Sequence, residues 1–177
     1  MQTTLMRTTF LGVAVITVAS IVLFKAKSMP PPPIPDGNYE VRNSASNLVL
    51  DDPYSSQVPG EQMIQWDSNG GLNQKWHFVH RGNGFYTIQN VKSGLFLTSP
   101  SGSKEKEPPL QQQKATNDDS QLWQLSASKA LFVIKSKASA LRVDAASGSK
   151  LGSVVVLSSP SKKTDDRKCI WAMNRSS

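Results

Sequence analysis

A chain of 177 residues and 19.3 kDa has room for one domain of ordinary size with a short appendage. Its two histidines, His77 and His80, and its single Cys169 exclude a zinc knuckle and an internal disulfide framework. The formal charge is +7, but Arg7, Lys25 and Lys27 contribute three of the 20 basic residues; from Asp36 onward 17 basic residues alternate with 13 acidic ones. No basic stripe with stacking aromatics results, and nucleic-acid binding is not expected.

The first element is apolar. Residues 8–24 carry no charge over 17 positions, or about 26 Å of helix at ~1.5 Å per residue. That is the short end of a membrane span and the long end of a signal-peptide core. Small Ala26 and Ser28 permit cleavage after Ser28, whereas Lys25 and Lys27 would snorkel at the end of an anchor. Within the N-terminal hydrophobic segment 1–28, residues 8–24 are therefore expected to form one apolar helix retained as a single-pass membrane anchor. Cleavage near Ser28 and secretion is the alternative. Arg7 on one side balances the two lysines on the other, so charge does not set an orientation.

Residues 29–35 (MPPPPIP) hold five of the eleven prolines. Consecutive prolines lack amide donors and lock φ, which makes an extended spacer. The globular part is expected to begin at about Asp36.

From there to residue 177, short runs of valine, isoleucine, phenylalanine and tyrosine are cut by Gly, Asn, Ser and Pro. Strands are expected throughout, because no helical apolar period persists. The runs are also self-similar. Tyr39-Glu40-Val41 with Leu48-Val49-Leu50-Asp51 matches Tyr86-Thr87-Ile88 with Leu95-Phe96-Leu97-Thr98. Both match Phe132-Val133-Ile134 with Leu141-Arg142-Val143-Asp144. Each unit closes alike, on Asn73-Gln74-Lys75-Trp76, Ser120-Gln121-Leu122-Trp123 and Lys168-Cys169-Ile170-Trp171. Trp76, Trp123 and Trp171 are spaced by 47 and 48 residues; Tyr39, Tyr86 and Phe132 by 47 and 46. Two landmarks keeping one period predict three repeats, at about 36–82, 83–128 and 129–177. A unit of this size cannot bury its own apolar face. Three units closing about a pseudo-threefold axis can, so an all-β barrel with a hairpin cap is expected, with the three tryptophans in its core.

The Gln-x-Trp closing motif at this period resembles the ricin-B-type lectins, which are β-trefoils, and among them the cysteine-poor fungal members. The resemblance runs from about Asp36 to Trp171. It implies a non-catalytic module that binds glycans of galactose type or related sugars, through at most one shallow site per repeat. The family's site joins a carboxylate after the second strand, an aromatic ring, and an Asn beside the Gln of the closing motif. A carboxylate accepts from two adjacent hydroxyls, an amide both donates and accepts, and a ring covers the sugar's C–H face.

Carried over residue by residue, the first repeat is complete: Asp51, Trp66, Asn73 and Gln74. Trp66 adjoins a glycine-bearing loop, Asp67-Ser68-Asn69-Gly70-Gly71, that suits an exposed ring. Half-buried packing for Trp66 and a turn role for Asp51 is the competing interpretation, and Asp52 either shares the carboxylate role or caps the turn. In the second repeat Thr98, Gln113 and Ser120 replace the carboxylate, ring and amide. In the third, Asp144 remains, but Ser158 stands for the ring and Lys168-Cys169 for Asn-Gln. Both sites are expected to be lost.

Nothing points to catalysis, a cofactor or a metal. Asp118-Asp119 and Asp165-Asp166 occupy equivalent loops and are expected to be turn residues. No Gly-x-Ser-x-Gly, Walker loop or His-Glu-x-x-His occurs. His77 and His80 are expected to be surface or satisfied histidines, and Cys169 a small buried thiol. The rival function is a trefoil protein-interaction module, such as a protease inhibitor or adaptor, with a vestigial sugar site.

Overall fold

A computed structural model of the protein describes residues 33–100, 105–128, 130–145, 150–160 and 166–176. The expected helix over residues 8–24 lies outside the described residues. Among the described residues no helix is long and apolar enough to cross a membrane.

The described residues form twelve strands in sets of four. The first repeat has β1 (Gly37–Asn43), β2 (Val49–Asp51), β3 (Ile64–Trp66) and β4 (Lys75–His80). The second has β5 (Phe85–Asn90), β6 (Phe96–Thr98), β7 (Gln111–Gln113) and β8 (Trp123–Ser128). The third has β9 (Leu131–Ser136), β10 (Arg142–Asp144), β11 (Val156–Ser158) and β12 (Trp171–Arg175). The outer strands of each set pair antiparallel around a closed ring: β1 with β4, β4 with β5, β5 with β8, β8 with β9, β9 with β12, and β12 back to β1. Closure leaves this six-stranded barrel no free edge. The inner strands form three hairpins, β2–β3, β6–β7 and β10–β11. The fold is the expected β-trefoil.

Period-2 alternation sets the inner face. In β5 the side chains alternate between half-buried and buried, which puts Tyr86 and Ile88 inside. Trp76, Trp123 and Trp171 are each fully buried. Their indole nitrogens donate to the carbonyls of Leu50, Leu97 and Val143, all at 3.0 Å. One geometry made three times confirms that these tryptophans are equivalent core residues. The hairpins meet in a ring of backbone bonds: Met63 N donates to Leu110 O, Leu110 N to Val155 O, and Val155 N to Met63 O, at 2.8, 2.8 and 2.9 Å. All three side chains at this junction are fully buried.

Ile34, assigned by its sequence neighbourhood to the proline spacer, is instead a core residue. Its carbonyl accepts from the Tyr86 hydroxyl at 2.7 Å, and Tyr39 donates to Pro35 O at 2.8 Å. Both tyrosine hydroxyls need a partner once their rings are buried, and this segment supplies it.

The turn between the first two strands of each repeat needs one left-handed residue. Asn47, Gly94 and Ala140 take it, with φ of 61°, 71° and 60°. Each donates its N–H to the residue four earlier, at 2.9–3.0 Å. Glycine adopts this conformation freely and asparagine tolerates it, but alanine pays about 1 kcal/mol. Ala140→Gly is therefore expected to stabilise the domain by about 0.5–1 kcal/mol, raising the melting temperature by a few degrees. A melt at or below that of the parent would contradict this.

Candidate functional site

The first repeat builds a cleft of about 400 Å³ where β2, β3 and the approach to β4 converge. β3 aims the ring. Gln65 points inward and is fully buried, donating to Ala145 O at 2.8 Å, so its neighbour Trp66 must point outward, where it is 41% exposed. A Cβ placed on Gly152 of the third repeat would lie 3.6 Å from the Trp66 ring, and Gln65 N donates to Ser153 O at 2.9 Å. The platform is thus backed by a neighbouring repeat.

Asp51 ends β2 and lines the cleft. Its Oδ2 accepts from Gln74 Nε2 at 2.7 Å and from Asn73 Nδ2 at 3.1 Å. Asn73 Nδ2 also donates to Asp52 O at 3.1 Å. With both amide hydrogens engaged, the group that Asn73 has left for a ligand is its Oδ1, an acceptor. Gly71 makes room for that atom: a Cβ there would lie 2.5 Å from Asn73 Oδ1 and 2.8 Å from Asn69 Oδ1. Asp51, Trp66 and Asn73 all line the one cleft.

Gln74 does not line it. The side chain is buried, and besides Asp51 it donates to Asp67 O at 2.8 Å and accepts from Asn69 N at 2.8 Å. It fastens the loop after Trp66 and holds the Asp51 carboxylate in place. Gln121 fastens the second repeat's loop in the same way, between Lys114 O at 2.8 Å and Thr116 N at 2.8 Å. The Gln of the closing motif is a positioning residue.

Tyr54 and Asn69 are among the further residues that line the cleft. Tyr54 sits in a short 3₁₀ turn after Asp52 and is wholly exposed. The available sequence signal was an aromatic beside proline in a polar turn, outside any strand period.

Burial raises the pKa of Asp51, opposed by its bonds from Gln74 and Asn73. Its neighbour Asp52 is fully buried; Oδ1 accepts from Gln112 Nε2 at 3.0 Å, while Oδ2 is among the buried atoms with no partner in the described residues. Burial, then the charges of Asp51 and Glu61, push the Asp52 carboxyl up to about 7. An acid whose folded pKa lies above its unfolded ~3.9 holds its proton more tightly when folded. Its contribution to stability is then present at low pH and lost as pH rises from about 4 through about 7. Asp52→Asn keeps an acceptor for Gln112 and carries no charge. The variant is expected to exceed the parent by about 1 kcal/mol or more at pH 8, and the difference should shrink at pH 5. Parallel melting curves at the two pH values would refute the assignment.

The other repeats lack these features. In the second, Thr98 donates to Phe96 O at 2.8 Å and accepts from Gln121 at 3.0 Å, and the cleft it lines with Gln113 and Ser120 holds no aromatic ring. Asp118 caps the turn at Ser120 N, at 2.8 Å, and Asp119 pairs with Lys137 at 2.8 Å, so both are turn residues. In the third, Asp144 accepts from Ser158 Oγ at 2.6 Å and from Cys169 Sγ at 3.0 Å. Burial and that contact push the Cys169 thiol up to about 12, which makes it inert. Asp165 lies outside the described residues.

His77 Nδ1 is 2.7 Å from Asn38 Oδ1. His80 departs from expectation: its ring lies 5.1 Å from that of Tyr86, with Nε2 buried and unpartnered among the described residues. Among those residues no group of His, Cys, Asp or Glu could hold a metal ion.

Residues 29–88 and 72–158 match the model of the ricin-type β-trefoil lectin domain-like family. Among solved structures, the designed threefold-symmetric protein ThreeFoil is 25% identical, with a TM-score of 0.72 over 78% of this chain and 99% of its own. The Rhizoctonia solani agglutinin is 24% identical, with a TM-score of 0.66 over 83% of this chain and 100% of its own. The Macrolepiota procera ricin B-like lectin, solved with lactose, is 18% identical, with a TM-score of 0.67 over 81% of this chain and 99% of its own. No curated protein sequence matches significantly.

Proposed function

Since the chain belongs to the ricin-type β-trefoil lectin domain-like family, we propose that it is a non-catalytic carbohydrate-binding protein with one working site, in the first repeat. The convergence of Asp51, Trp66 and Asn73 on one cleft carries this reading. Asp51 Oδ2 already takes two protein donors, and among the described residues Oδ1 takes none, so Oδ1 is the acceptor offered to sugar hydroxyls. Trp66 covers the sugar's C–H face, and Asn73 Oδ1 accepts from a further hydroxyl. Gln74 holds Asp51 from behind. Sugars of galactose type or related are the expected class.

A shallow site leaves much of a sugar in water, so affinity should be weak, on the order of 10⁻⁴–10⁻³ M. Tight binding to a surface then needs clustering. An anchor at residues 8–24 with a proline spacer at 29–33, ahead of the lectin domain, would supply it. N-terminal sequencing of the expressed protein tests the anchor. A chain beginning at or near Met29 would replace it with secretion.

A glycan array probed with the full-length chain tests the central reading. Binding to sugars of one class is expected. An array without specific signal would favour the rival reading, a protein-interaction module, which draws on the loss of the site residues at Thr98, Gln113, Ser120, Ser158 and Cys169.

A further inference from the structure

The cleft has a second aromatic wall. Tyr54 lines it together with Trp66. The Tyr54 side chain packs on nothing, being fully exposed, so the fold gains no burial from it. Its backbone is nevertheless held in a costly shape. Tyr54 and Ser55 both adopt left-handed conformations, with φ of 57° and 55°, and neither is a glycine or an asparagine. The turn is pinned on both sides: Ser55 N donates to Asp52 O at 3.2 Å, and Ser56 N to Pro53 O at 3.1 Å, with Pro53 itself buried. Asp52 O also takes the Asn73 side chain at 3.1 Å, which ties this turn to the polar end of the site. A large ring is thus presented to solvent from a fixed backbone at the rim of a cleft that exceeds what one pyranose ring fills.

We propose that Tyr54 is a stacking platform for a second sugar unit, so that the ligand is a disaccharide or longer glycan whose terminal unit rests on Asp51 and Trp66. This rests on the sugar-binding reading above and narrows it. One ring against Trp66 and the next against Tyr54 would use both exposed faces, with an amphipathic tyrosine suited to a partly wet subsite.

The test takes the strongest disaccharide hit from the array and its terminal monosaccharide, both as free sugars, titrated against the full-length parent, Tyr54→Ala, Tyr54→Phe and Trp66→Ala. Tyr54→Ala should weaken the disaccharide about five- to tenfold and leave the monosaccharide within about twofold; Tyr54→Phe, which keeps the ring, should bind both as the parent does. Trp66→Ala should remove both. Since Tyr54 buries nothing, its variants should melt with the parent. Equal losses for the two sugars on Tyr54→Ala, or no loss for either, would overturn the second subsite while leaving the sugar site standing. Absence of any glycan binding by the parent would overturn the sugar-binding reading and this inference with it.

Discussion

Trp66→Ala is expected to abolish measurable sugar binding while the domain stays folded. The site's polar groups are few, and hydroxyls exchanged between water and protein yield little net free energy. Most of a weak affinity then comes from the apolar sugar face on the ring. Losing about 1.4 kcal/mol or more from an affinity on the order of 10⁻³ M carries it past 10⁻² M, beyond ordinary titration. Trp66 is 41% exposed and outside the core cluster, so its removal should cost stability only about 1 kcal/mol. The companion variant is Asp144→Ala. Asp144 is engaged by Ser158 and Cys169 in the third repeat, so its loss should cost about 1–2 kcal/mol of stability and leave binding unchanged. Titration of one glycan against both decides the matter. Binding abolished by Asp144→Ala and spared by Trp66→Ala would move the site to the third repeat.

Trp123→Ala should have the opposite character, a loss of fold rather than of binding. The side chain is fully buried in the second repeat, and such truncations cost about 3–5 kcal/mol. The change also strips Leu97 O of the indole donor at 3.0 Å, adding about 1–3 kcal/mol. Against a total stability of about 5–15 kcal/mol, the variant should melt ~10 °C or more below the parent, or fail to fold. Trp76→Ala and Trp171→Ala should match it to within about 1 kcal/mol, because the three indoles share one geometry. A Trp123→Ala protein melting with the parent would mean that the tryptophans do not carry the core.

The architecture was legible because each repeat must place the same kind of side chain at the same distance from one axis. That demand prints itself along the chain as period and register, in Trp76, Trp123 and Trp171 and in Tyr39, Tyr86 and Phe132. Asp51, Trp66 and Asn73 were legible for a related reason. Residue types and spacing survive together in that repeat, whereas the second keeps the spacing with Thr98, Gln113 and Ser120 in their places, and the third keeps only Asp144.

What the tertiary structure alone decided lies between segments that are distant in sequence. Ile34 enters the core because Tyr86, 52 residues later, needs a partner for its hydroxyl. Asp52 is buried against Gln112, 60 residues away, so the adjacent Asp51 charge alone does not announce the burial that chiefly pushes its carboxyl up to about 7. Gln74 is kept from the cleft and made a buried fastener because Asp51 at the end of β2 and Asp67 and Asn69 of the following loop saturate its amide. Tyr54 became a wall of the cleft through two left-handed residues that no propensity would assign to Tyr and Ser. Composition and period specify which residues recur and which face inward. Which polar atoms are satisfied, and by whom, is settled only when the three repeats close on one another.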